Sequence, residues 1–218
     1  MRKVGKILSL IGVVLLILSF LLVIYNLWNE EQAGKLSEEA LNVLLSDNPK
    51  IIIGTKEEKV PLVTIPAPME NEENSEEIIP DYILNPQMEM PVQNANEQDY
   101  IGVLEIPCLA IRLPVISDWT YSRLKIAPCR YAGSAYQDNL IVMAHNYSSH
   151  FGGISSLPYD SIITFTDVDG NVFTYRVVSI EILEKSDVDE MICDGWDLTL
   201  FTCTLGGKSR VTVRCVRI

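Results

Sequence analysis

A cysteine and an arginine stand seven positions apart in LTLFTCTLGGKSRVTV, residues 198–213. The stretch reads as a strand, a tight turn and a second strand. Leu198, Leu200 and Thr202 alternate with Thr199, Phe201 and Cys203, and GGKS supplies the turn. Beyond it Val211, Val213 and Cys215 share one face, and Arg210, Thr212 and Arg214 the other. Cys215 therefore belongs with the core, while Cys203 ends its strand and faces the turn. A cysteine attacks as its thiolate and needs a base or a cation beside it. Arg210, at the start of the next strand, offers a guanidinium to a substrate carbonyl or to the oxyanion formed on attack. The chain has only two histidines, both in VMAHNYSSHFGGISSL. His145 ends the strand-like run NLIVMAH and is the preferred partner. His150 is expected to cap or pack against a short helix. Each residue taken singly reads as well as a structural one; three suitable side chains on three strand ends favour a site.

The elements that must position them begin at Tyr100. YIGVLEI, AIRLPVI, NLIVMAH, SIITFTD, VFTYRVVSIEIL, LTLFTC and RVTVRCVRI are strand-like and separated by turn residues. TDVDGNVF is a hairpin signal with Asp169-Gly170 at its tip. Short helical pieces are expected near WTYSRLKI and SSHFGGISSLP. Seven or eight strands over residues 100–218 predict one all-β unit, a barrel or a sandwich.

Residues 1–28 form a different kind of segment. From Ile7 to Ile24 the chain is apolar and uncharged, long enough to cross a hydrocarbon core of ~30 Å as a helix. Arg2, Lys3 and Lys6 precede it and acids follow, so the N-terminus is expected in the cytoplasm and the remainder outside. A small-x-small cleavage site is missing from YNLWNEEQ, which favours a retained anchor over a signal peptide. Residues 29–99 read as an acidic, Pro-containing stalk, with sixteen acids against four lysines. Within it KLSEEALNVLLS predicts a short amphipathic helix with Leu36, Ala40, Val43 and Leu44 on one face, and KIIIGTKEEKVPLVTIPAP an extended run. The rest is expected to be a solvated spacer. The apolar residues of Ile78–Pro91 suggest a second reading, a loose lid over a cleft. The charge of −12 resides mainly in this segment, and no basic stripe speaks for nucleic acid. The five cysteines, Cys108, Cys129, Cys193, Cys203 and Cys215, form no CxxC pair, and their odd number leaves at least one free thiol if the others pair within the chain.

TLFTC, residues 199–203, is similar to the TLxTC signature of the sortases, cysteine transpeptidases of Gram-positive cell surfaces. The order His145, Cys203, Arg210, the N-terminal anchor and the opening YIGVLEIP resemble that family too, over residues 100–218. Ala144 departs from the glycine that many sortases place before the histidine; alanine is small, and little effect is expected. The resemblance implies a closed eight-stranded β-barrel with short helices and a cleft at one end. It implies substrates that are exported proteins bearing an LPxTG-like sorting signal, cut between Thr and Gly through a thioacyl intermediate. An amine of a cell-wall precursor or surface protein would then accept the chain. Cys203 would be the nucleophile, His145 the acid and base, and Arg210 the oxyanion donor; Thr202 would contact substrate.

The chain stops eight residues after Arg210 without a second apolar segment, and DYILNP is not the Asp-Pro-aromatic lid motif. Both features favour an anchoring sortase over a pilin-polymerising one. Some sortases bind calcium through acids near the cleft; here the acids of KSDVDEMICD precede the cysteine strand and GSAYQDN offers only Asp138, so neither metal nor cofactor is expected. Two other readings use the same sequence: a cysteine hydrolase with water in place of the amine, and a membrane-anchored binding barrel with an inert Cys203.

Overall fold

A computed structural model describes residues 2–51, 79–193 and 195–218. The first element, α1, is one helix from Arg2 to Asp47, 46 residues and about 70 Å long. It contains an 18-residue window of mean hydropathy 3.2 that none of the other described residues covers. The expected short helix over residues 35–46 is therefore the far end of this long one. The polar residues after Trp28 do not break it, because Glu, Lys, Leu and Ala are all good helix formers.

The second half of α1 is not solvated on all sides. Ala33, Ser37, Ala40 and Leu44 follow at steps of four, three and four residues, which places them on one stripe, and all are buried. With Ile51 they pack on the outside of a β-barrel, where Leu44 and Ile51 join Tyr100, Val103, Ile116 and Cys129 in a cluster. This part of the expected spacer is thus a layer of the folded unit.

The strands are β1 (Gln93–Ala95), β2 (Gln98–Ile106), β3 (Ile111–Ile116), β4 (Cys129–Ala132), β5 (Leu140–Ala144), β6 (Ile162–Asp167), β7 (Val172–Glu184), β8 (Leu198–Cys203) and β9 (Ser209–Arg217). They run in the order β1-β2-β3-β4-β5-β8-β9-β7-β6, and β2 also pairs with β6. That pairing closes β2 to β9 into an eight-stranded barrel, with β1 as a short hairpin partner outside it. Gly102 lies where β2 meets β6, and a Cβ there would stand 2.2 Å from the carbonyl oxygen of Thr166. Only glycine lets the two strands approach and the barrel close.

The interior is filled by the inward residues of the alternating strands, among them Leu104, Phe165, Tyr175, Leu198, Leu200, Val213 and Cys215. Asp169-Gly170 turns between β6 and β7 as expected, with Gly170 at φ 88°. The Asp167 carboxylate fixes the turn by accepting from the backbone N–H groups of Asp169 and Asn171, both at 2.9 Å, and from the Tyr136 hydroxyl at 2.7 Å. The expected helical pieces are single 3-10 turns, Arg123–Lys125 and Ile154–Ser156.

Residues 79–91 do not cover a cleft near Cys203, as the lid reading proposed. They include the one-turn helix α2 (Asp81–Leu84). Tyr82 stacks on Tyr136 with ring centroids 4.8 Å apart and packs on Phe173, and Met88 and Met90 join the interior cluster. Tyr82, Met88 and Met90 thus serve the barrel itself, while Ile79, Ile83 and Leu84 stay exposed. Residues 52–78, with the extended run and the Glu-rich stretch, lie outside the described residues.

Candidate functional site

Two pairings assemble the site. β5 and β8 run parallel, with Ala144 opposite Thr202. The next residue on each is His145 and Cys203, so the histidine and the cysteine leave neighbouring strand ends on the same side. β8 and β9 are antiparallel, and Cys203 stands opposite Arg210. Residues directly opposed in such a ladder have Cα atoms about 4.5–5.5 Å apart. The three candidates that sequence reasoning singled out are therefore on three adjacent strands at one end of the barrel.

They line a cavity of ≈ 190 Å³. Its floor is the outer face of the sheet, Met143 and Phe201; one wall is Trp119, Tyr121 and Tyr131; the other is the β7–β8 connection with Lys185, Val188 and Met191. The aromatic wall is internally braced, with Tyr131 edge-on to Phe201 at 5.2 Å and Trp119 edge-on to Tyr121 at 5.8 Å. An apolar trough with one thiol, one imidazole and one guanidinium suits an extended peptide whose reacting carbonyl must be oriented.

Cys203 is half-buried, whereas Cys129 and Cys215 are fully buried. Burial pushes both of these inner thiols up to about 12 and leaves them as core residues. Cys215 is packed with Val211 and Val213, as its register predicts. All five cysteines are free. His145 is held below the usual histidine range, first by burial and second by the nearby charge of Lys125. Its ring lies 4.8 Å from that of Tyr147, and its Nε2 is buried without a protein partner among the described residues. A neutral imidazole with an open nitrogen is the form that accepts a proton. Arg210 donates from Nη1 to the carbonyls of Gly207 at 3.2 Å and Ser209 at 3.1 Å. Among the described residues its other guanidinium donors make no further hydrogen bond.

Thr202 lines the cavity, but its side chain is turned inward, where Oγ1 donates to the Ala144 carbonyl at 2.8 Å. The hydroxyl ties β8 to β5 just before the cysteine and histidine and is not free to meet a substrate. His150 is fully buried beneath α1, and burial drives its pKa down to about 4. It packs against the ring of Tyr147 at 5.7 Å rather than opening into the cleft, in keeping with a structural role.

Sequence reasoning missed Arg214. On β9 it points outward, yet it is 1 % exposed. The cover is the β7–β8 connection, which contains the one-turn helix α3 (Val188–Met191). Arg214 donates to the carbonyls of Glu190 and Met191 and to Thr199 Oγ1. Through these bonds a buried guanidinium ties one wall of the cleft to its floor. The outward face of β9 carried no signal for this, because the cover comes from a distant segment.

Residues 104–218 match the family model described as Sortase domain. Among solved structures the chain is similar to Sortase A from Corynebacterium diphtheriae, with 20% identity and a TM-score of 0.50 over 56% of this chain and 62% of that chain. It is similar also to Sortase C of Streptococcus pneumoniae, with 25% identity and a TM-score of 0.50 over 57% of this chain and 68% of that one. The chain thus spans about three-fifths of the length of the Corynebacterium structure, and a sortase A and a sortase C match it at the same TM-score. No curated protein matches the chain.

Proposed function

Because the chain belongs to the sortase family through its domain at residues 104–218, we propose that it is a cysteine transpeptidase with Cys203 as nucleophile, His145 as acid and base, and Arg210 as oxyanion donor. The observation that carries this reading is the register that sets all three side by side at one cleft.

The chemistry follows from the groups. Neutral His145 accepts the Cys203 proton, and the sulfur adds to the carbonyl carbon of the scissile peptide bond. The oxyanion that develops is met by the free N–H groups of Arg210. Collapse expels the amine, which takes its proton from the imidazolium, and an acyl thioester remains on Cys203. An incoming amine then gives a proton to His145 and attacks the thioester. Collapse returns the thiolate, and the imidazolium reprotonates it. No redox step occurs and no cofactor is called for. In the family's pattern the scissile bond is the Thr–Gly bond of an LPxTG-like signal on an exported protein. The acceptor is an amine of a cell-wall precursor or another surface protein.

The apolar part of α1 is read as a single-pass anchor with the barrel outside the cell. Its uncovered apolar surface, with basic residues before it and acids after, supports that topology.

The test is product formation from signal peptides by the full chain in detergent, with and without added amines. A product carrying the amine is expected, formed faster as amine is raised. Release of the free acid alone, at a rate indifferent to amine, would make the protein a hydrolase. No turnover of any peptide, with peptide binding indifferent to thiol alkylation, would leave a binding barrel.

A further inference from the structure

Helix α1 is clamped to the barrel at two places. Near its middle, the Glu30 carboxylate accepts from the backbone N–H and the hydroxyl of Ser148. One turn on, Gly34 lies so close to Ser149 that an added Cβ would stand 3.2 Å from the serine Cβ. At the far end, Asn48 Nδ2 donates to the Val168 carbonyl at 2.6 Å, and the Lys50 backbone lies against Gly170. Ser148 and Ser149 belong to the loop that follows His145; Val168 and Gly170 belong to the β6–β7 hairpin at the opposite end of the barrel. The helix thus runs from the cleft end to the hairpin end.

Distances along the helix give this a direction in space. Glu30 lies six residues beyond Ile24, the last residue of the uncharged apolar run, or about 9 Å further along the axis. Asn48 lies about 36 Å beyond it. Because α1 is uninterrupted from Arg2 to Asp47, a bilayer around the apolar run fixes which end of the barrel is near it. β5 and β8 both end toward Ser148, so the β8–β9 turn projects from the same end as His145.

The side chains exposed at the cleft end include large apolar and aromatic ones. Leu205 at the tip of the β8–β9 turn is 93% exposed and Tyr121 78%, with Trp119 beside it and the exposed Lys208 in the same turn. Aliphatic, aromatic and lysine side chains together are the composition that settles at a lipid–water boundary. Tyr25 and Trp28 on α1 mark the same level. The hairpin end presents the acids Asp169 and Glu97 together with the exposed Ile79, so the direction rests on the two clamps along α1 and not on a contrast of composition.

We propose that α1 holds the barrel upright with its cleft end turned toward the bilayer, so that the β8–β9 turn and the loop at residues 146–149 meet the lipid headgroups. The surface partner of this end is the lipid headgroup layer itself. The inference rests on the anchor reading above and adds an orientation to it.

The experiment uses the full chain in phosphatidylglycerol-containing vesicles whose headgroups carry an energy acceptor. A fluorescent amino acid is placed at Leu205 in one sample and at Asp169 in another. Transfer from Leu205 should be at least twice that from Asp169. Seven alanines inserted between Trp28 and Asn29, about 10 Å of extra helix, should lower transfer from Leu205. Equal transfer from both positions, or stronger transfer from Asp169, overturns the orientation while leaving the anchor in place. A chain that fails to sediment with the vesicles overturns the anchor, and the orientation falls with it.

Discussion

Cys203 stands directly opposite Arg210 in the β8–β9 ladder, while the residue before it is paired with the residue before His145. The thiol is therefore flanked by a guanidinium on one side and an imidazole on the other, by register alone. A single turn brings the arginine to the cysteine, but His145 is distant in sequence and reaches them only through the parallel pairing of β5 with β8.

Arg210 is expected to act through its planar array of donors rather than its charge. Arg210→Ala should lower kcat about 10²–10³-fold, the usual cost of losing an oxyanion donor. Arg210→Lys should recover only part of that loss, because an ammonium cannot hold the turn carbonyls and reach the oxyanion together. Steady-state kinetics on a signal peptide reads both. A full rate in the lysine variant would reduce Arg210 to a point charge.

The pH profile should report His145. Burial and Lys125 both disfavour its protonated form, so its folded pKa is below the ordinary 6.5. The neutral imidazole needed to take the cysteine proton then persists as pH falls through 6.5, and the acid limb of kcat/KM should lie below that value. Lys125→Met removes the cation and should move the limb upward. A limb above 6.5 in the native chain, or a downward move in the variant, would contradict the assignment.

The second half of α1 should contribute to stability as core. Leu44 is fully buried against Tyr100 and Ile116, and Leu44→Ala should cost about 2–5 kcal/mol. A chain beginning at residue 29 should unfold cooperatively in denaturant. One beginning at residue 100 should unfold at lower denaturant, since it uncovers His150 and this cluster. Equal midpoints would mean that α1 only rests on the barrel.

Arg214 should matter to the cleft without touching substrate. Arg214→Met keeps the stem but loses the bonds to the Glu190 and Met191 carbonyls. The β7–β8 wall should loosen, raising KM for peptide several-fold with a smaller change in kcat and leaving the acid limb of His145 in place. A loss of kcat with unchanged KM would place Arg214 in the chemistry instead.

How much of this was legible in the sequence follows from what each element shows locally. β8 and β9 alternate cleanly because one face meets the barrel interior, so Cys203, Arg210 and the core position of Cys215 could be placed from register. β4 could not: CRYA is four residues with no alternation of its own, and only its partners make it a strand. The stripe on α1 uses Ala33, Ser37 and Ala40, small residues that permit close approach but give a weak hydrophobic signal. Tyr82 packs on the barrel while Ile83 and Leu84 beside it stay exposed, and nothing local separated them or said that the surface Tyr82 meets is the hairpin end rather than the cleft. Arg214 was illegible for the same reason, since a charged residue on an outer strand face reads as exposed until the segment that covers it is known.

The most direct test of the central claim is the intact mass of the protein after brief exposure to a signal peptide without an added amine. The account predicts a mass increase equal to the acyl fragment, borne on the peptide that contains Cys203, discharged by a primary amine or hydroxylamine, and lost in Cys203→Ala. An adduct that maps to Cys108 or Cys193, or turnover that persists in Cys203→Ala, would contradict it.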